Sequence, residues 1–396
     1  MDKGVAVTGM GVMSAIGSNT EMNYQALISS KNGISFPEIL QTKHTHLPVA
    51  EIKLSNNNLA ENLKLEEDHL FTRAALLGVT AIKEAVNESQ LKIDSQTGLI
   101  SGTSVGGIDA TEKFFREFSA GNTKNERFIK AQHPGFTTEK MAKYFGITGY
   151  VSTISTACSS GANAIMMGAR LIKAGKLTRV IVGGTDCLTK FTLNGFNSLR
   201  ILSNEHCKPF DQNRNGLNLG EGAAYLILEA EEEIKGKKVL GRVLGYGNAN
   251  DAFHQTASSK NGQGAFLAMK KALQKAGISP EGIDYINAHG TATQNNDAAE
   301  SVALKRIFVE NVPHFSSTKS FTGHTLAAAG ALEAVYSLLS INKNKIFPNL
   351  NFSEPMQETG LNPVTALQEK EIKTVLSNSF GFGGNCTSLI FAENEK

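Results

Sequence analysis

The chain has 396 residues, 41% hydrophobic and 19% charged, too many for the single core of roughly 250–300 residues that one domain supports, so two packed halves are expected. A formal net charge of +2 gives no bulk attraction to nucleic acid or to an anionic membrane surface, and no run reaches the ~18–20 apolar residues of a membrane-spanning helix. The four cysteines, Cys158, Cys187, Cys207 and Cys386, form no C-x-x-C pair, which argues against a zinc knuckle or a disulfide framework and for reduced thiols in a cytoplasmic protein.

In chain order, residues 5–8 read as a short strand followed by a glycine turn at Gly9-Met10-Gly11. The N-terminus enters that strand without the charged start and apolar stretch of a secretory signal. Residues 70–85 have helical spacing, 97–101 read as a strand, and 155–157 lead into a helix over 158–174 stopped by Gly175. Residues 180–182 form an apolar strand ending at Gly183-Gly184, and 226–228 form another. After a stretch rich in Glu and Lys (229–238) a second series begins. It has a strand at 239–244, a helix at 264–277, a strand at 284–288, helices at 297–308 and 327–340, and strands at 374–376 and 389–391. Apolar strands alternating with helices predict a mostly parallel sheet covered on both faces. The series divides into an N-terminal half, residues 1–240, and a C-terminal half, 241–396, with no residue-level repeat between them.

The first glycine turn invites a dinucleotide-binding reading, which fails. Ser14 stands where a third glycine is needed, no acidic residue follows a second strand at the required distance, and the phosphate-cradling P-loop pattern is absent.

Three other stretches could carry chemistry. In TACSSG (156–161) a strand gives way to a helix at Cys158. A thiol there meets free N–H groups and the positive end of the helix dipole, which favours thiolate, and small neighbours let a substrate approach. The same N–H groups can bind an oxyanion. A buried, inert cysteine explains that stretch alone equally well. NAHGTAT (287–293) places His289 just after a strand, and KSFTGHTLAAAG (319–330) places His324 in a small-residue loop before a helix. Both sit at element ends, where catalytic groups of α/β folds collect. Lys319 precedes His324 by five residues, and Glu333 falls on the next helix as a partner for that lysine or as a purely structural acid. NSFGFGG (378–384) sets Phe382 between glycines, which suits a gate as well as a rigid turn.

These four runs, in this order, resemble the β-ketoacyl-acyl carrier protein synthases of the elongating type (KAS I/II). The resemblance extends to Val7-Thr8-Gly9-Met10-Gly11, Pro209-Phe210-Asp211 and Gly220-Glu221-Gly222-Ala223, nearly the whole chain. The Cys-His-His set separates it from initiating synthases, which resemble a Cys-His-Asn pattern. The resemblance implies a thiolase-like α/β fold, a five-layered αβαβα structure of two similar halves with mixed sheets. It implies an acyltransferase that takes an acyl chain onto Cys158 from a carrier protein's phosphopantetheine. The enzyme then decarboxylates malonyl-carrier protein and releases a β-ketoacyl chain longer by two carbons. It further implies backbone N–H groups of Cys158 and Phe382 as an oxyanion hole, with Phe382 also a gate. His289 and His324 become enolate-stabilising donors, Lys319 a support for His324, and Glu333 the partner of Lys319. Thr291 and Thr293 become contacts for the pantetheine arm, and Phe380 and Gly383 line the substrate path. No metal and no bound cofactor are implied, and the expected assembly is a homodimer, with a heterodimer with a chain-length partner as the alternative.

The chain departs from the family at several points: Lys208-Pro209-Phe210-Asp211 begins with Lys in place of Arg, the loop at 203–207 is short, and Asn385-Cys386 replaces Thr-Asn. A basic patch expected at 64–73 is interrupted by Glu66-Glu67-Asp68, leaving Lys64 and Arg73, and residues 127–134 lack an aromatic-proline run. These differences point to a specialised pathway, such as an aryl polyene pigment. A non-catalytic chain-length partner would lack Cys158, a hydrolase would pair one histidine with Asn or Asp, and a thiolase would carry a second catalytic cysteine. Cys386, beside the last strand, reads as structural.

Overall fold

The computed structural model describes residues 4–66, 69–309 and 311–394, so Glu67 and Asp68 of the acidic interruption lie outside the described residues. The N-terminal strands are β1 (Val5–Ser14), β2 (Thr97–Gly102), β3 (Val151–Ile154), β4 (Arg179–Asp186) and β5 (Gly222–Glu229). The next are β6 (Gly241–Asn250), β7 (Tyr285–Asn287) and β8 (His314–Ser316). A two-residue pair follows, β9 (Lys345–Ile346) with β10 (Gln368–Glu369), and then β11 (Thr374–Phe380) and β12 (Asn385–Ala392).

The strands β3-β2-β4-β5-β1 and β8-β7-β11-β12-β6 have the same order, and they join where residues 5–7 of β1 pair with residues 241–243 of β6. Directions match as well. The first three strands of each set are parallel, and the fourth runs antiparallel to both its neighbours. The two halves therefore repeat one topology that no residue-level repeat betrays, because a fold is specified by burial pattern and turn chemistry more than by particular side chains.

Helices complete the layers. Arg73–Ser89 covers the outer face of β1 and β5, and Gln263–Ala276 covers β6 and β12. Between the sheets lie Ser160–Lys173, against β2 and β4, and Ala329–Lys343, against β5, β11 and the first of these helices. This is the five-layered αβαβα arrangement of the thiolase-like fold. Residues 329–341 are buried without a break, as a helix enclosed on all sides requires. The central helices meet through small residues. A Cβ on Gly161 would come within 2.7 Å of the Ala327 carbonyl oxygen, and one on Gly330 within 2.9 Å of the Ala162 Cβ.

The expected turn at Gly9-Met10-Gly11 is not there; β1 runs straight through it. The glycines serve close approach instead, since a Cβ would lie 2.2 Å from the Ala85 carbonyl at Gly9 and 2.1 Å from the Ala81 carbonyl at Gly11. The outer helix rests on bare backbone, which an isolated sequence reads as turn chemistry. In β4 the glycines also serve close approach, since a Cβ would lie 2.0 Å from the Ala224 carbonyl of β5 at Gly183 and 2.9 Å from the Ala327 carbonyl at Gly184, and the strand runs on to Asp186. The charged stretch after β5 folds back on the strand: buried Glu229 binds Lys237 at 2.6 Å and accepts from Thr8 at 2.5 Å.

Candidate active site

Strand β3 delivers the chain into a tight turn whose serines satisfy its backbone. Ser160 Oγ accepts from the Thr156 N–H at 2.9 Å and donates to the Ala157 carbonyl at 2.6 Å. Ser159 Oγ lies 2.7 Å from the Thr156 carbonyl. Ala157 adopts φ +52°, a left-handed conformation that costs a residue with a Cβ roughly 1–2 kcal/mol. The turn thrusts Cys158 toward the C-terminal half, just ahead of the Ser160–Lys173 helix.

Two loops bring the histidines to it. His289 leaves β7, and the acids that open the next helix, Gln294–Phe308, hold its loop. Glu300 accepts from the N–H groups of His289 (2.9 Å) and Gly290 (2.8 Å), and Asp297 accepts from Thr291 (2.9 Å) and Ala292 (3.1 Å). The sequence reading placed both acids on a helix and gave them no role. The available signal was a pair of acids one turn apart, directly after a loop rich in unpaired N–H groups. His324 follows Gly323 at φ +60° and is pinned by its own N–H to the Asn218 carbonyl at 2.7 Å.

His324 Nε2 lies 3.0 Å from Cys158 Sγ, and the two imidazoles stand nearly perpendicular with centroids 5.5 Å apart. Lys319 contacts His289, not His324 as expected. Its Nζ lies 3.2 Å from His289 Nδ1, donates to the His289 carbonyl at 2.6 Å, and pairs with the Glu333 carboxylate. The short helix Lys319–Thr322 turns the lysine back toward β7, and the left-handed Gly323 sends His324 the other way. Because an ammonium only donates, His289 Nδ1 is the acceptor and its proton sits on Nε2.

These groups are buried, and burial sets their charge. It pushes the Cys158 thiol up to about 11, against the opposing pull of the Phe382 N–H and the Lys319 charge. Burial, reinforced by Lys319, holds both imidazoles well below the ordinary histidine range. Burial thus opposes the thiolate that the helix terminus favours, and it disfavours charge on both imidazoles. Burial also raises the Glu333 carboxyl, with Lys319 opposing.

A cavity of about 380 Å³ opens onto this centre, lined by Cys158, His289, His324, Thr291, Thr293 and Phe380, with Phe382 in its wall. The Phe382 ring stacks on Phe196 at 5.7 Å. Gly383 is not on the wall; its N–H binds the Gln255 carbonyl at 2.7 Å. Cys386 is on the wall, with its thiol pushed up to about 12 by burial. Arg73 is buried in an ion pair with Glu221 at 2.6 Å and is no part of an exposed basic patch. Among the described residues, no group of three or more His, Cys, Asp or Glu is placed to hold a metal, and no helix is long and apolar enough to cross a membrane.

Residues 2–233 match the family "Beta-ketoacyl synthase, N-terminal domain", and residues 240–353 match "Beta-ketoacyl synthase, C-terminal domain". The chain belongs to the β-ketoacyl synthase family. This synthase is 32% identical to 3-oxoacyl-[acyl-carrier-protein] synthase 2 of Staphylococcus aureus (strain COL), over 100% of the chain and 99% of the relative. It is 36% identical to a putative mitochondrial 3-oxoacyl-[acyl-carrier-protein] synthase of Schizosaccharomyces pombe, over 98% of the chain and 99% of the relative. Among solved structures it superposes on the ishigamide ketosynthase/chain length factor with TM-score 0.92 and 28% identity, covering 99% of each chain. It superposes on a chain of the complex of the ketosynthase ApeO with its chain length factor ApeC from Xenorhabdus doucetiae, with TM-score 0.85 and 32% identity over 99% of this chain and 98% of that one. The synthase is thus a condensing acyltransferase that extends an acyl chain by two carbons through decarboxylative condensation, in fatty acid or polyketide assembly.

Proposed function

We propose that the half before residue 240 supplies the nucleophile, Cys158, and the half after it supplies the histidines that generate the carbanion. The observation carrying this reading is the 3.0 Å approach of His324 to Cys158, with His289 beside it and fixed by Lys319. In the first step the Cys158 thiol loses its proton, to His324 in this reading, and the sulfur attacks the thioester carbonyl. The N–H groups of Cys158 and Phe382 stabilise the oxyanion, and the carrier thiol leaves with a proton.

In the second step malonyl thioester replaces it. His289 and His324, both neutral, donate to its carbonyl oxygen as CO₂ departs and the enolate forms. That carbanion attacks the acyl carbonyl on Cys158 and expels the sulfur, which takes up a proton from solvent to restore the thiol. Lys319 acts on this step through His289, whose Nδ1 it occupies so that the ring proton stays on Nε2. Glu333 balances the lysine.

The phosphopantetheine arm of an acyl carrier protein reaches the site along the cavity, past Thr291 and Thr293. The working assembly is a cytoplasmic dimer, with itself or with a chain-length partner of the kind that ApeC is for ApeO. The interrupted basic patch and buried Arg73 favour a carrier of a specialised pathway over that of housekeeping fatty acid synthesis. Intact-mass spectrometry after incubation with a panel of acyl-carrier proteins, alongside Cys158→Ala, tests the reading. Adducts that require Cys158 and vanish on adding malonyl-carrier protein support it. Failure of every carrier to load, with and without a candidate partner subunit, would sink it. Equal turnover with the host's fatty-acid carrier and a pathway-specific one would remove the specialised assignment.

A further inference from the structure

Residues 382–384 form the tip of the hairpin between β11 and β12, with Gly383 and Gly384 at φ +81° and +80°. Its base is closed by the Gly381 N–H on the Asn385 carbonyl at 2.8 Å. The Asn385 side chain does something separate. Its Oδ1 lies 2.8 Å from Ser159 Oγ, the residue after the nucleophile, 2.9 Å from Asn163 Nδ2 on the following helix, and 2.9 Å from Asn248 Nδ2 on β6. With Thr387 Oγ1 at a longer 3.5 Å, four donor groups thus converge on one oxygen from elements of both halves. The same residue therefore holds the hairpin tip through its backbone and the nucleophile turn through its side chain.

We propose that Asn385 is a positioning residue that locks the Phe382 N–H in register with Cys158 Sγ, so that acyl transfer depends on it while malonyl decarboxylation does not. The inference rests on the reading of Cys158 as acyl acceptor and goes beyond it. Among the described residues, the other hydrogen bonds that hold the tip come from the opposite loop: Asn250 and Gln255 bind Gly383, and the Asp251 N–H donates to the Gly384 carbonyl. Gly381 leaves no slack on the other side, since a Cβ there would lie 2.7 Å from the Thr156 carbonyl. Loosening Asn385 frees the hairpin tip at its two left-handed glycines, and the N–H that receives the oxyanion moves with it. The histidine pair sits on other loops and keeps its geometry. Where one preorganised oxyanion donor is lost, acyl transfer slows by about 10²–10³-fold, and a donor merely loosened gives about tenfold or more.

The test uses the full-length protein and two readouts. Hydrogen exchange of the peptide spanning residues 380–386 reports the tie without any activity. Cys158 loading by acyl-carrier protein, and CO₂ release from malonyl-carrier protein without a primer, report the two half-reactions. In Asn385→Ala we expect faster exchange at the tip, loading slowed at least about tenfold, and CO₂ release within about twofold of wild type. Thr387→Val, which removes only the longest of the four contacts to Asn385 Oδ1 at 3.5 Å, leaves loading within about twofold of wild type. If Asn385→Ala does not fold, Ser159→Ala cuts the tie from the other end and carries the same expectations. Unchanged exchange at the tip overturns the proposal, as do loading and CO₂ release that fall together or both hold. A wild-type protein that loads no acyl chain sinks the synthase reading itself, and the wild-type arm shows that separately from the difference between variants.

Discussion

Lys319 grips His289 twice, through the ring Nδ1 at 3.2 Å and the main-chain carbonyl at 2.6 Å, while its charge is met by Glu333 inside the protein. Replacing Lys319 by Ala frees the His289 ring and leaves Glu333 buried without its counter-charge. CO₂ release from malonyl-carrier protein should fall about 10²-fold or more while loading of Cys158 falls far less. Urea unfolding should show a loss of about 3–5 kcal/mol, as for other broken buried pairs. The double variant Lys319→Met/Glu333→Leu should regain most of that stability and none of the decarboxylation. Recovery of CO₂ release in the double variant would show that the lysine has no part in the reaction.

Both catalytic imidazoles are held well below the ordinary histidine range, by burial first and then by Lys319. Such a histidine stays neutral in the folded protein and gains a proton only on unfolding. Its contribution to stability is therefore full above the unfolded value of ~6.5 and is lost as pH falls below it. The unfolding free energy from urea titrations should decline between about pH 6.5 and 5, by up to ~1.4 kcal/mol per pH unit for each histidine. His289→Asn should flatten that slope. An unchanged slope in this variant would show that the ring is protonated in the native state.

The Cys158 thiol is pushed up to about 11 by burial. Its alkylation by iodoacetamide, followed at the Cys158 peptide by mass spectrometry, should rise about tenfold per pH unit from about pH 7 to 10. A plateau beginning below about pH 8 would mean that a thiolate already exists at rest, and the proton transfer assigned to His324 would be unnecessary.

Glu300 receives the N–H groups of His289 and Gly290 and the Asn378 side-chain amide at 3.1 Å. Glu300→Ala strands these donors and should cost about 2–4 kcal/mol of stability. The milder Glu300→Gln keeps the volume and some of the bonds. It should lower CO₂ release about 10-fold through a misplaced His289 ring, with little effect on Cys158 loading. Equal losses in both half-reactions would place Glu300 in general packing alone.

The motif residues were legible in the sequence because the chemistry restricts which side chains can stand there. Cys158, His289, His324, Lys319 and Glu333, separated by up to 175 positions along the chain, could all be picked out before any contact was known. The alternation of strands and helices was legible too, since burial leaves a periodic record in the side chains. The glycines at 9 and 11 misled, because close backbone contact and tight turns both demand a residue without a Cβ, and only the packed helix at Ala81 and Ala85 tells them apart. The pairing of Lys319 with His289 was also out of reach, for it depends on the left-handed turn at Gly323 that sends neighbours in sequence in opposite directions.

By itself the sequence determined which functional groups are present and which elements carry them, since these follow from local side-chain identity and spacing. The tertiary structure decided which of those groups meet, and in what charge state. It set burial against ionisation of the Cys158 thiol and gave Glu300, Asp297 and Asn385 their partners, because desolvation and hydrogen-bond geometry arise only when distant segments close around one site.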